Sequence, residues 1–231
     1  MKATTKLLSL LVIALAALYA PVASAIPALQ IYSPDATYDT TLETWVISDN
    51  TFELWVVGAV GDYGSIYDVT LAASYYGSSG SIAIMPGLPT DTDYADKEGF
   101  KNGVQNHAEF ANADGHLFYD LGDFTGTSDT IYDYTSPGTG KQGEIKKLMI
   151  HVTGYDAVHF DAFDHYFTGR QGTASYQLHG VFAPFSHDGT GGGGAGGSGG
   201  SGGSGGTVPE PSGLLLMAPG LLGLFLYRRK K

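Results

Sequence analysis

The chain has 231 residues, with 23 acidic side chains against 12 basic ones and no cysteine. The missing cysteines exclude disulfides, thiolate nucleophiles and cysteine-based zinc sites. A net charge of −11 repels phosphate backbones, so nucleic acid is excluded as a partner.

In chain order, Lys2 and Lys6 precede an almost unbroken apolar run from Leu7 to Ala20, Pro21 stops any helix, and Ala23-Ser24-Ala25 supplies small residues. Basic, apolar and small regions in that order make a secretory signal peptide over residues 1–25, read by signal peptidase at Ala23 and Ala25. The apolar run is too short for a permanent membrane helix. Residues 26–188 follow as the predicted globular domain, long enough to bury one sizeable core. Six of the bases and one acid, Glu210, lie outside it, so the domain itself holds 22 acids against 6 bases, near −16. An exported domain without disulfides must be held by its core or by bound metal.

Period-two alternation predicts strands through the domain. Val69, Leu71 and Ala73 alternate with Asp68, Thr70 and Ser74, and Leu148, Ile150 and Val152 alternate with Lys147, His151 and Thr153. Tyr176, Leu178 and Phe182 share a face in "SYQLHGVF", while "TFELWVVGAV" is apolar on both faces and reads as a central strand. "ETWVISD", "SIAIM", "GHLFYDL" and "AVHFDAF" are further strands, separated by Gly, Asp, Asn and Pro clusters suited to turns. At most a short helix is expected between Tyr94 and Ala111. The fold class is therefore all-β, an antiparallel β-sandwich of about seven or eight strands.

Residues 189–207 are Gly/Ser repeat, predicted as a flexible linker with a root-mean-square reach of roughly 24 Å. Residues 208–231 end the chain. Their apolar stretch, 213–227, would form a short helix of ~22 Å against the ~30 Å of a bilayer core. Pro219-Gly220 interrupts it, and Arg228, Arg229, Lys230 and Lys231 form a basic stop. Val208, Pro209, Glu210 and Pro211 stand directly before the apolar stretch. This order resembles the PEP-CTERM sorting signal of exopolysaccharide-making Gram-negative bacteria. The resemblance implies processing near the motif by an exosortase, a transient inner-membrane intermediate, and release to the cell surface or extracellular matrix. "VHFDAFDHYF" at Val158–Phe167 and "GVFAPFSHD" at Gly180–Asp188 resemble the choice-of-anchor N proteins, a family with no assigned activity.

Candidate chemistry within the domain is sparse. His159 and Asp161 are two apart and share a strand face, with Asp164 and His165 following. Imidazole and carboxylate suit zinc or another transition metal, whereas carboxylates with carbonyls suit calcium. The plainer reading puts these residues on the wet face of a strand. Asp91, Asp93, Asp96 and Glu98 form a second candidate in one loop, a calcium site or simply a solvated acidic turn. Ser186, His187 and Asp188 are adjacent, unlike a triad assembled from separated segments, and no G-x-S-x-G elbow occurs within residues 26–188. Trp45 and Trp55 read as packing residues, although exposed aromatics could stack on sugars. The expectation is a non-enzymatic surface or exopolysaccharide-matrix protein with no catalytic residues and no required cofactor. A carbohydrate- or calcium-binding module is the alternative, and a glycan-acting hydrolase the third.

Overall fold

The computed structural model describes residues 26–41, 44–136, 138–183 and 189–191. The predicted signal peptide with Ala23 and Ala25, the serine, histidine and aspartate at 186–188, most of the linker, the sorting motif Val208–Pro211, the apolar stretch 213–227 and the basic stop Arg228–Lys231 all lie outside those residues.

The described chain is all-β and mostly antiparallel. Its strands are β1 (Leu29–Tyr32), β2 (Thr37–Asp39), β3 (Thr44–Ile47), β4 (Thr51–Gly58), β5 (Ile66–Tyr76), β6 (Ser81–Met85), β7 (Gly115–Phe124), β8 (Asp129–Ile131), β9 (Lys141–Thr153), β10 (Ala157–Thr168), β11 (Gln177–Phe182) and β12 (Gly189–Gly191). The short helices are α1 (Val60–Tyr63), α2 (Glu98–Asn102) and α3 (Ala108–Asn112), with 3-10 turns at Tyr94–Asp96 and Val104–Asn106. Twelve strands replace the seven or eight expected, because five of them have only three or four residues. Runs that short carry no readable alternation.

One sheet has the order β1-β4-β9-β6, with β8 paired to the start of β9; the other runs β2-β3-β12-β10-β5-β7, with β11 paired to the end of β10. β12 joins the second sheet parallel to β3 and antiparallel to β10. It consists of the first three residues of the predicted linker, so regular structure extends past Asp188. β4 lies between β1 and β9, as its two apolar faces require. Phe52, Leu54 and Val56 enter the main core, while Val57 packs on Ile26 and Ile131.

A single apolar cluster draws Leu29, Ile31, Phe52, Leu148 and Ile150 from one sheet and Leu71, Phe124, Val158 and Phe160 from the other. The Phe52 and Phe160 rings meet edge-on at 5.9 Å. Each such buried side chain contributes about 1.5–3 kcal/mol.

The faces turned from this core differ. On β9, Met149, His151 and Thr153 are exposed between buried Leu148, Ile150 and Val152, as alternation predicts. On β5, however, Thr70, Ala72 and Ser74 are all fully buried. Residues 94–112 fold over this face: Val104 is buried with Ala72, Phe118 and Phe163, and Tyr94, Phe100, Phe110 and Phe182 pack around them. The wet face expected for β5 and β10 is therefore a second, covered interior. β11 is corrected with it. Val181 enters the main core, Leu178 is exposed, and Phe182 joins the covering layer.

Candidate functional site

The covered face of the larger sheet holds the polar groups that sequence singled out. Register places His116, Ser74 and His159 in one row across β7, β5 and β10, with Phe118, Ala72 and Asp161 in the next. Ala72 leaves space opposite Asp161, and the chain between α2 and α3 lowers His107 into it. His107 Nδ1 lies 2.8 Å from Asp161 Oδ1, and His159 Nε2 lies 3.8 Å from the same oxygen. One ligand atom from each of the three residues falls within 4.8 Å of the others. Asp161 is fully buried and His159 nearly so, while His107 keeps 10% of its side chain exposed. Phe182 meets the His107 ring edge-on at 5.4 Å, and Phe110 stacks on His116 at 3.8 Å.

Burial alone would raise the Asp161 carboxyl, but the neighbouring His159 charge and the hydrogen bond from His107 outweigh it and hold it well below the carboxylate range. The site is therefore built around an ionised carboxylate inside an apolar shell, where a positive partner is needed most. Asp161 Oδ2 accepts no hydrogen bond among the described residues, and neither does the buried Glu109 Oε2 on α3. Tyr76, which donates to the Glu109 carbonyl at 2.7 Å, is pushed up to about 12 by burial first and then by the Glu109 and Asp161 charges.

Asp164 and His165 do not join this cluster. A register shift between Phe163 and His165 interrupts the β5–β10 ladder, and Asp68 sits opposite with φ 49. Asp68, Asp164 and His165 form a second convergence. His165 Nδ1 lies 2.8 Å from Asp164 Oδ1. This weaker pairing loses to desolvation, and burial pushes the Asp164 carboxyl up to about 6.

The acidic loop does not converge. Among the described residues, no three of Asp91, Asp93, Asp96 and Glu98 approach as ligands. Asp91 turns inward instead. It accepts from Thr70 Oγ1 and pairs with Lys97 Nζ at 2.9 Å. Burial would raise Asp91, but hydrogen bonds from Asp93, Thr70 and Lys97 hold it at about 2. The Lys97 ammonium also donates to Thr70 Oγ1 and to the Asp68 carbonyl, so a lysine occupies the place where a cation would neutralise this loop. Glu98 accepts from Asn102, closing one turn of α2. The loop ties the cover to β5.

The tryptophans pack. Trp45 is 9% exposed and has Tyr32 and Tyr38 ring centroids at 5.0 Å. Trp55 donates to Glu53 and carries Lys147 Nζ 4.1 Å above its ring.

His107, Asp68 and Lys97 are the participants that motif reading missed. "VQNHAEF" carries no period and no metal-ligand spacing; the one available signal was scarcity, with seven histidines in the chain.

No family model matches the chain, and no curated protein matches it. A solved structure titled as AvmM, which catalyses macrocyclization in alchivemycin A biosynthesis, aligns over 68% of this chain and 88% of its own at 11% identity and a TM-score of 0.24. A likeness that distant carries neither fold nor function across.

Proposed function

We propose that this protein is an exported, non-enzymatic surface or exopolysaccharide-matrix component of a Gram-negative bacterium, sorted by a PEP-CTERM/exosortase route. The observation that carries the reading is the order of its tail: Val208-Pro209-Glu210-Pro211, an apolar stretch, then four cations, in a chain whose first 25 residues run basic, apolar and small in the order of an export signal. We read the domain as a β-sandwich, its two sheets stacked through the core in which Phe52 meets Phe160. Its acidity keeps it soluble and away from anionic surfaces.

A surface depression of about 420 Å³ is lined by Thr37, Tyr38, Asp39, Thr40 and Val46. Asp39 is its single carboxylate, whereas glycoside hydrolysis uses a flanking pair. The buried Asp161 carboxylate and its two histidines lie under the cover rather than in an open cleft. Both observations favour a structural or binding role over hydrolysis.

Replacing Pro209-Glu210-Pro211 with alanines in a host that has an exosortase tests the sorting route. The signal peptide should still be removed after Ala25, while the chain stays in the membrane fraction with Arg228–Lys231 attached. Intact mass reads both ends. Lys231 on released wild-type protein would leave a plain membrane anchor in place of a sorting signal.

A further inference from the structure

We propose that His107, His159 and Asp161 bind a single transition-metal ion of the zinc class, which fastens the 94–112 cover to β10. The assignment goes beyond the sorting route and is independent of it.

The donor set is two imidazoles and one carboxylate, the set preferred by zinc and its neighbours rather than by calcium, which takes oxygen ligands. Ligands 2.0–2.2 Å from a tetrahedral zinc lie about 3.3 Å from one another. The observed separations of 2.8 Å and 3.8 Å on Asp161 Oδ1 bracket that value, and the whole triplet fits within 4.8 Å. Both imidazoles approach the same Asp161 oxygen, so the three donor atoms gather in one place. Asp161 Oδ2 accepts no hydrogen bond among the described residues although it is buried, and bidentate ligation would engage it.

The surroundings suit a cation. Glu109 carries a second carboxylate on α3, with Oε2 buried and without a hydrogen bond among the described residues, and its charge, with that of Asp161, acts on Tyr76. Phe110 and Phe182 line the shell and limit water, which strengthens charge interactions inside it. His107 gives the entry path as the one ligand that reaches the surface.

The placement also has a structural consequence. His159 and Asp161 come from the sheet and His107 from the cover, two layers that also meet through apolar contacts, the Lys97 pairing and the Tyr76 hydrogen bond to the Glu109 carbonyl. In a chain without cysteine, an ion at this position cross-links two segments about fifty residues apart in sequence, as a disulfide would.

The full chain, stripped with chelator, should take up about one zinc or cobalt ion per chain. Cobalt should show the intense visible bands of a four-coordinate site, and zinc at about 100 times its Kd should raise Tm by roughly 5–10 °C. Calcium should do neither. His107→Ala should weaken zinc at least the ~10–100-fold that outer-shell changes cost, while His151→Ala, on the exposed face of β9, should leave it unchanged. X-ray absorption at the zinc edge of the wild-type chain requires no variant and should count two imidazoles. No stoichiometric uptake, equal affinity in His107→Ala, fewer than two imidazoles, or stabilisation by calcium in place of zinc would each overturn the assignment.

Discussion

The two sheets treat their outward faces in opposite ways. On β9, Met149, His151 and Thr153 stand in water beside a dry inner row. On β10, His159, Asp161 and Phe163 are at most 1% exposed, because the 94–112 segment lies over them. The cover can approach this closely because α2 carries Gly99. A side chain there would collide with the Val181 carbonyl and the Asp164 backbone. A strand with one wet face tolerates any polar residue on it; a strand with two dry faces must find a partner for each one. Asp161 and Asp164 show the two outcomes three residues apart. The first is held ionised by two histidines, and the second, with one flanking histidine, is driven toward its neutral form.

The largest expected effect is at Asp161. Asp161→Asn keeps the shape but strands the imidazoles without a counter-charge, and breaking a buried pair costs about 3–5 kcal/mol. Urea unfolding in chelator, which isolates the ion pairing from any metal, reads this loss. A change below ~1 kcal/mol would mean that the covered face is wet in solution, and the contrast with β9 would collapse.

Asp164→Asn should act in the opposite direction. Its carboxyl moves from 3.8 to about 6 on folding, so the folded chain holds the proton more tightly than the unfolded chain. The group costs nothing below about pH 4, where both states are protonated; stability declines as pH rises from about 4 to about 6, and the cost is constant above that. Asparagine removes the decline while keeping an oxygen for His165. The variant should be more stable than wild type by about 1–2 kcal/mol at pH 7, after allowance for screening, and indistinguishable from it at pH 4. Paired urea titrations at the two pH values read the difference, and a loss of stability at pH 7 would show that the Asp164 charge is paired.

The smallest effect belongs to the open face. Met149→Ser on β9 should change stability by less than ~0.5 kcal/mol in thermal unfolding. A larger loss would show that something covers Met149, and the sheets would then be alike.

Legibility followed the same division. Where a strand has one partner layer, alternation names its buried residues: Leu148, Ile150 and Val152 are inward on β9 and their neighbours outward. On β5, the same alternation named Val69, Leu71 and Ala73 correctly as core but placed Thr70 and Ser74 in water, where they are not. A polar residue under a cover looks the same in sequence as one facing solvent. The pairing of His159 with Asp161 was legible because neighbours on a strand face are fixed by period two. His107 was not, since it arrives from an irregular segment 52 residues before His159 and no local period encodes that approach.

Composition and local pattern therefore determined the all-β class, the main core strands and the strand that carries the site, because each depends on neighbours a few residues apart. Tertiary structure alone decided that the 94–112 segment folds over β5 and β10, that Asp91 answers to Lys97 instead of gathering its acidic neighbours, and that His107 completes the cluster on Asp161. Those outcomes depend on which distant surfaces exclude water together, and that exclusion is a property of the packed chain rather than of any stretch within it.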